Sequence, residues 1–214
     1  MKKLLYIIAN SKPENISSSR KVSRKFVDEF LKLNFDYELE EINLYDIELP
    51  NLTYKCFENR NTPISNIDHL SEKEKKDIKK ITNLCDQFLS ADIYVVAAPM
   101  WSILFPAPLK QYLDCIILNN KTVKISQDEI KGLLYDKDRS MIYVQSSGGP
   151  IPWILNKKLN HGGTYLHDIF KFLGIKDFVE LNVDHTGFTE EEKEKAEQKA
   201  IDKINGFVER FSDK

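Results

Sequence analysis

Ser11 and the triplet Ser17-Ser18-Ser19, near the start of the chain, have the composition and spacing to hold a phosphate dianion. They follow an apolar run, Leu4 to Ala9, and lead into a helical pattern in which Val22, Phe26, Phe30 and Leu33 recur at spacings of four, four and three. A helix start presents unpaired N–H groups and a partial positive charge, and serine hydroxyls add donors matched to phosphate oxygens, so no lysine is needed. Read locally, Ser17 is only an N-cap and Ser18 and Ser19 are first-turn polar residues, so the place of the loop in the fold must decide. Neither a G-x-G-x-x-G fingerprint nor a G-x-x-x-x-G-K loop occurs, which disfavours a dinucleotide or triphosphate as the tightly held group.

Two further loops have chemistry to offer. In Pro99-Met100-Trp101-Ser102-Ile103-Leu104-Phe105-Pro106-Ala107-Pro108 the prolines favour an extended, rigid backbone, and Met100, Trp101 and Phe105 supply polarizable surface for a flat heteroaromatic ring. Trp101 and Phe105 would equally serve a subunit contact. In Ser146-Ser147-Gly148-Gly149-Pro150 the glycines let backbone approach a ligand, with N–H groups able to meet the carbonyl oxygens of a flavin. A Ser-Gly-Gly turn is common, and this one gains meaning only if it converges with the other two loops.

The elements that would bring them together can be read from the hydrophobic pattern. Leu4–Ala9, Ile93–Ala98 and Met141–Val144 are continuous apolar runs, as expected of parallel strands covered on both faces. Tyr37–Leu44 and Phe178–Val183 mix in polar residues and belong at sheet edges. Helical patterns alternate with them. Ser71 with Glu74 and Thr189 with Glu192 form capping pairs, the second ahead of Ala196, Ala200, Ile204, Phe207 and Phe211. Further helices are predicted over about 108–118 and over about 163–173, the latter stopped at Gly174. Alternation of strand and helix gives an α/β, doubly wound, five-stranded parallel sheet of order 2-1-3-4-5 with helices on both faces, in one domain over 1–214. In such a sheet the ligand site lies where strand order reverses, beyond the carboxyl ends of the first and third strands, and all three loops fall there. The segment 46–70 reads as a long loop, and 122–135 as a small hairpin turning near 127–129.

Composition excludes several classes. A net charge of −2 and 42% hydrophobic residues describe an ordinary globular chain with no basic field for nucleic acid. The lysine run 73–80, interrupted by Glu74 and Asp77, is a solvated helix face. Cys56, Cys85 and Cys115 form no C-x-x-C pair, which argues against a disulfide framework or thiolate metal site and for a cytoplasmic home. His69, His161, His167 and His185 lack metal-ligand spacing, so no metal is expected. No run reaches the length of a membrane span.

Together the loops resemble the FMN-dependent NADH:quinone oxidoreductase and azoreductase family, of flavodoxin-like fold, once labelled acyl-carrier-protein phosphodiesterase. The resemblance rests on Ser11 with Ser17-Ser18-Ser19, on A-A-P-M-W-S-I from Ala97 to Ile103 continuing into P-L-K-Q-Y-L-D from Pro108 to Asp114, and on Ser146-Ser147-Gly148-Gly149. The segment Thr164 to Ile175 is also similar to the family's Y-L-x-x-x-x-x-F-I/L-G stretch. It implies FMN bound by those serines, by Pro99, Met100, Trp101, Ser102 and Ile103, and by Ser146 to Gly149. It also implies a homodimer with active sites at the interface, and two-electron ping-pong transfer from NADH or NADPH to quinones or azo compounds, with no side-chain nucleophile or base. Thr122-Val123-Lys124-Ile125 lacks the aromatics frequent there in the family, and Ser147 stands where an arginine is frequent. A flavodoxin-like electron carrier is the alternative, but it calls for a markedly acidic surface and a T/S-x-T-G-x-T loop. A receiver domain would need an aspartate where Ala98-Pro99 stands, and a serine hydrolase would need a G-x-S-x-G turn.

Overall fold

In the computed structural model, which describes residues 1–59, 61–149 and 159–212, each apolar run becomes a strand. In chain order the strands are β1 (Lys2–Ile8), β2 (Tyr37–Asn43), β3 (Phe57–Asn59), β4 (Thr62–Pro63), β5 (Ile93–Pro99), β6 (Val123–Ile125), β7 (Ile130–Gly132), β8 (Ser140–Ser146) and β9 (Asp177–Val183). The helices are α1 (Ser18–Leu33), α2 (Glu72–Ser90), α3 (Ala107–Ile116), α4 (His161–Leu173), α5 (Glu190–Ile201) and α6 (Ile204–Ser212). Pro150 falls outside the described residues.

Five strands form one parallel sheet in the order β2-β1-β5-β8-β9, which is the flavodoxin-like 2-1-3-4-5 order expected. β1 is paired on both sides, Ile7 lying beside Ile42 and Val96. Because successive side chains of a strand point to opposite faces, each run feeds two cores. Leu5, Ile7, Tyr94, Val96, Met141 and Tyr143 pack under α2, α3 and α4, against Phe88, Tyr112 and Phe170. Leu4, Tyr6, Val95, Ile142 and Val144 pack under α1, α5 and α6, against Phe26, Phe30 and Phe211.

The helix starts follow the capping chemistry of the sequence. Ser71 and Glu74 close a complete capping box, and the Thr189 side chain accepts from the Glu192 N–H at 3.1 Å. The C-terminal pattern is not one helix. It turns at Asp202 and Lys203, where the Lys203 N–H bonds back only three residues to Ala200, and the redirected chain seats Ile204, Val208 and Phe211 in the core beside α1. The segment 46–70 is not plain loop either. It holds a single helical turn at Tyr54–Cys56 and the β3–β4 ribbon, pinned by Cys56 and Leu70 in a third apolar cluster with Ile78, Ile81, Cys85 and Cys115. The predicted hairpin is β6–β7, closed where the Ser126 N–H donates to the Glu129 carbonyl at 2.9 Å. Among the described residues no helix is long and apolar enough to cross a membrane.

Phe88 is fully buried and its ring stacks on Tyr94 at 4.4 Å and on Phe170 at 5.8 Å, joining α2, β5 and α4. Phe88→Ala is expected to cost about 3–5 kcal/mol through lost contacts and an unfilled cavity. Urea unfolding should show this as a lower midpoint at unchanged slope.

Candidate functional site

The crossovers leave β1 and β5 toward opposite faces of the sheet, and a cleft of about 320 Å³ opens between the loops that follow them. Ser11, Ser17 and Ser18 line it from the first loop, Pro99, Met100 and Trp101 from the second, and Ser146 and Gly148 from the third. Two larger hollows, of about 570 Å³ and about 730 Å³, flank the edge strands β9 and β2, and neither gathers these loops. The convergence of donors and apolar surface, rather than volume, marks the smaller cleft as the site.

Its floor at β1 is organised by Asn10, which is buried. The Asn10 amide donates to Ser17 Oγ at 2.7 Å and to Ser19 Oγ at 3.1 Å, while its own oxygen accepts from the Lys12 N–H at 3.0 Å. Ser17 Oγ accepts in turn from the Arg20 N–H at 3.3 Å, capping α1. Among the described residues the N–H groups of Ser18 and Ser19 find no acceptor, which leaves two backbone donors at a helix start. The four serines are thus not equivalent. Ser18 Oγ donates to Glu197 Oε1 at 2.7 Å, and that carboxylate also pairs with Lys21 at 3.2 Å, so Ser18 offers the cleft its N–H and not its hydroxyl. Ser19 is fully buried and does not line the cleft, whereas Ser11 is exposed.

The second loop departs from the extended form that its prolines suggested. Trp101 and Leu104 exchange both backbone hydrogen bonds at 2.9 Å, closing a tight turn whose central residues, Ser102 and Ile103, have φ of 49° and 59°. Left-handed backbone at a β-branched residue is strained, by about 1–3 kcal/mol. The turn leaves Trp101 half exposed and the Ser102 and Ile103 N–H groups without an acceptor among the described residues. Phe105, read from sequence as ring-packing surface, is instead in the core, edge-on to Tyr165 at 5.8 Å.

The third loop is stitched to the chain after β9. Ser147 is buried and its hydroxyl contacts Asp184 Oδ1 and the Gly149 carbonyl, each at 2.7 Å, so it does not line the cleft. The Thr186 N–H donates to the Ser147 carbonyl at 3.0 Å and the Gly187 N–H to the Gly148 carbonyl at 3.1 Å. A Cβ on Gly187 would sit 2.8 Å from the Gly148 Cα, so these two backbones require a glycine where they meet. Through this stitch Thr186, Gly187, Glu190 and Lys193 enter the cleft wall, with Lys193 paired to Glu190 at 3.1 Å. Sequence reasoning missed them, along with Asn10 and Lys12; the turn-forming Thr186-Gly187 was the only local signal.

The arrangement offers oriented N–H groups and hydroxyls at one end, an aromatic and thioether wall, and the backbone of Gly148, while Ser102 and Ile103 follow Trp101 in the turn and, like Gly149, are not part of the cleft lining. A phosphorylated flat heterocycle fits that chemistry. Comparisons with known proteins agree. The family profile described as flavodoxin-like fold matches residues 2–207. An FMN-dependent NADH:quinone oxidoreductase of Ruminiclostridium cellulolyticum is 47% identical over 213 residues, covering 99% of this chain and 100% of that one. One of Clostridium botulinum is 49% identical, covering 97% and 98%. A crystal structure of an FMN-dependent NADH-azoreductase from Bacillus anthracis in complex with FMN aligns with a TM-score of 0.81 at 26% identity, over 97% of this chain and 100% of that one.

The inequality of the serines has a testable consequence. Ser17→Asp should abolish FMN retention, because a carboxylate would occupy the helix start, with the far-UV spectrum unchanged. Ser18→Ala should instead lower stability by about 1–2 kcal/mol, leaving Glu197 short of a donor, while fluorescence titration finds the FMN Kd within about twofold of wild type.

Proposed function

The chain belongs to the FMN-dependent NADH:quinone oxidoreductase family of flavodoxin-like fold, and on that premise we propose that it reduces quinones and azo compounds with electrons from NADH. The observation that carries this reading is the pair of N–H groups, acceptor-free among the described residues, at the switch point: that of Ser18 belongs to a cleft lined also by Ser17, Met100 and Trp101, and that of Ser19 follows it in the first turn of α1. Ser11, Ser17, Ser18, Met100 and Trp101 would hold FMN there, and the group would supply two-electron redox chemistry between reduced nicotinamide and an acceptor.

The protein's part is placement. Asn10 holds Ser17 and Ser19 so that the phosphate meets donors already oriented, which removes an ordering cost at binding. Ser11 adds a hydroxyl at the exposed side of the cleft. Met100 and Trp101 present polarizable surface to the ring, and the free N–H groups of Ser102 and Ile103, with the backbone of Gly148, are donors for its polar edge. Ser147 and Gly149 act one step removed, by fixing the loop that presents Ser146 and Gly148. No side-chain nucleophile or base is required, and the two curated relatives described above are named as enzymes rather than electron carriers.

In this reading the whole chain acts as a single FMN-binding domain and works as a homodimer with the cleft at the interface. Trp101 on the cleft wall, with Ile103 and Leu104 in the same turn, supports the dimer by exposing apolar surface. Three buried free thiols suit a reducing cytoplasm.

Purified protein is expected to be yellow or to take up added FMN, and then to oxidise NADH when a quinone or an azo dye is supplied. Initial rates at several acceptor concentrations should give parallel double-reciprocal lines, the signature of two half-reactions at one site. NADPH run beside NADH sets the donor preference. Failure to bind FMN would overturn the assignment.

A further inference from the structure

Glu180, on the edge strand β9, lies outside the cleft lining, yet its carboxylate is anchored in a chain of contacts that ends at the strained turn. Asn160 donates to Glu180 Oε1 through its amide nitrogen and accepts the Gly163 N–H at 2.9 Å through its amide oxygen, capping α4. The next residue, His161, uses its backbone N–H to hold the Ile103 carbonyl at 3.0 Å. That bond ties the left-handed Ser102–Ile103 pair to an element outside its own turn.

The two glycines that follow make the arrangement possible. A Cβ on Gly163 would collide with the Glu180 carboxylate, and one on Gly162 would lie 3.2 Å from Gln145 Oε1 and 3.3 Å from the carbonyl carbon of Leu104. His161-Gly162-Gly163 is therefore a clasp whose backbone N–H at His161 and two glycines fit it between the second loop, β8 and β9. Gln145 belongs to the same layer, accepting from the Tyr143 hydroxyl at 2.9 Å and donating to Asn182 Oδ1 at 3.4 Å. Burial raises the pKa of Glu180, opposed by its hydrogen bonds to Asn182 and Asn160. A partly buried carboxylate on a strand edge needs compensation, and here it finds it in an amide donor and the positive end of a helix.

We propose that Glu180 is a positioning residue for the flavin-facing turn: through Asn160 and the His161-Gly162-Gly163 clasp it holds Ile103 left-handed and so sets how Trp101 and the Ser102 and Ile103 N–H groups meet the isoalloxazine ring. The inference rests on the flavin reading above and deepens it. It separates two parts of the site, since the clasp acts on the ring and Asn10 acts on the phosphate.

The experiment titrates FMN and riboflavin in parallel by fluorescence and records the visible circular dichroism of the bound flavin. Glu180→Leu should weaken both ligands by about tenfold or more and change the visible dichroism. The ratio of the two Kd values should stay within about twofold of wild type, because the phosphate cradle is untouched. Glu180→Gln, which keeps an oxygen for the Asn160 amide, should recover to within about threefold. Asn160→Ser, which keeps a cap but loses the donor to Glu180, should reproduce the weakening and stands in if Glu180→Leu does not fold. Wild-type Kd values and dichroism in folded Glu180→Leu or Asn160→Ser would overturn the proposal and leave Glu180 a purely structural residue. A wild-type protein that binds no flavin would sink the underlying reading instead.

Discussion

The site depends on one topological constraint, the divergence of crossovers on either side of β1. Parallel strands need long right-handed connections, and these cannot all run over one face of a five-stranded sheet while covering both. Once the chain crosses over one face from β1 to β2 and over the other from β2 to β5, the loops after β1 and β5 turn away from each other. The cleft is the gap they leave. Its chemistry follows from what happens to lie at that gap: a helix start whose N–H groups find no acceptor among the described residues, and an aromatic turn that leaves Trp101 half exposed.

Much of this was legible in the chain. Strands buried on both faces are written as continuous apolar runs, and β1, β5 and the middle of β8 read that way, the buried polar residues Ser140, Gln145 and Ser146 falling at the ends of β8. Edge strands reveal themselves by the polar residues that water can reach, as in Tyr37–Asn43 and Asp177–Val183. Capping residues are equally local, and Ser17, Ser71 and Thr189 each accept the N–H that their position implies. From these the strand order followed, and from the order, the three loops.

What escaped was decided by partners that no local pattern marks. The serine triplet reads as uniform, but Glu197, far along the chain, accepts from the hydroxyl of Ser18, while the Asn10 amide donates to the hydroxyl oxygens of Ser17 and Ser19. Prolines around Trp101 suggested extension, whereas two backbone bonds across Trp101 and Leu104 and a third from His161 impose a turn that Ser102 and Ile103 would not choose alone. Phe105 looked like its neighbours and went to the core because α4 supplies Tyr165. Leu33, on the expected apolar stripe of α1, stands exposed where the helix runs past the sheet. No periodicity encodes such outcomes; they are properties of the assembled layers.

The meeting of Gly148 with Gly187 carries a consequence for descent. Two loops that close on each other backbone to backbone cannot drift separately: a side chain at Gly187 would force Gly148 to retreat, and with it the wall of the cleft. A lineage remodelling this pocket for a different acceptor is therefore freer to vary the exposed side chains of Trp101, Ile103 and Leu104 than the backbone of the stitched wall. Substitution is thus tolerated unequally across the site, and the less tolerant half is the one where two backbones meet.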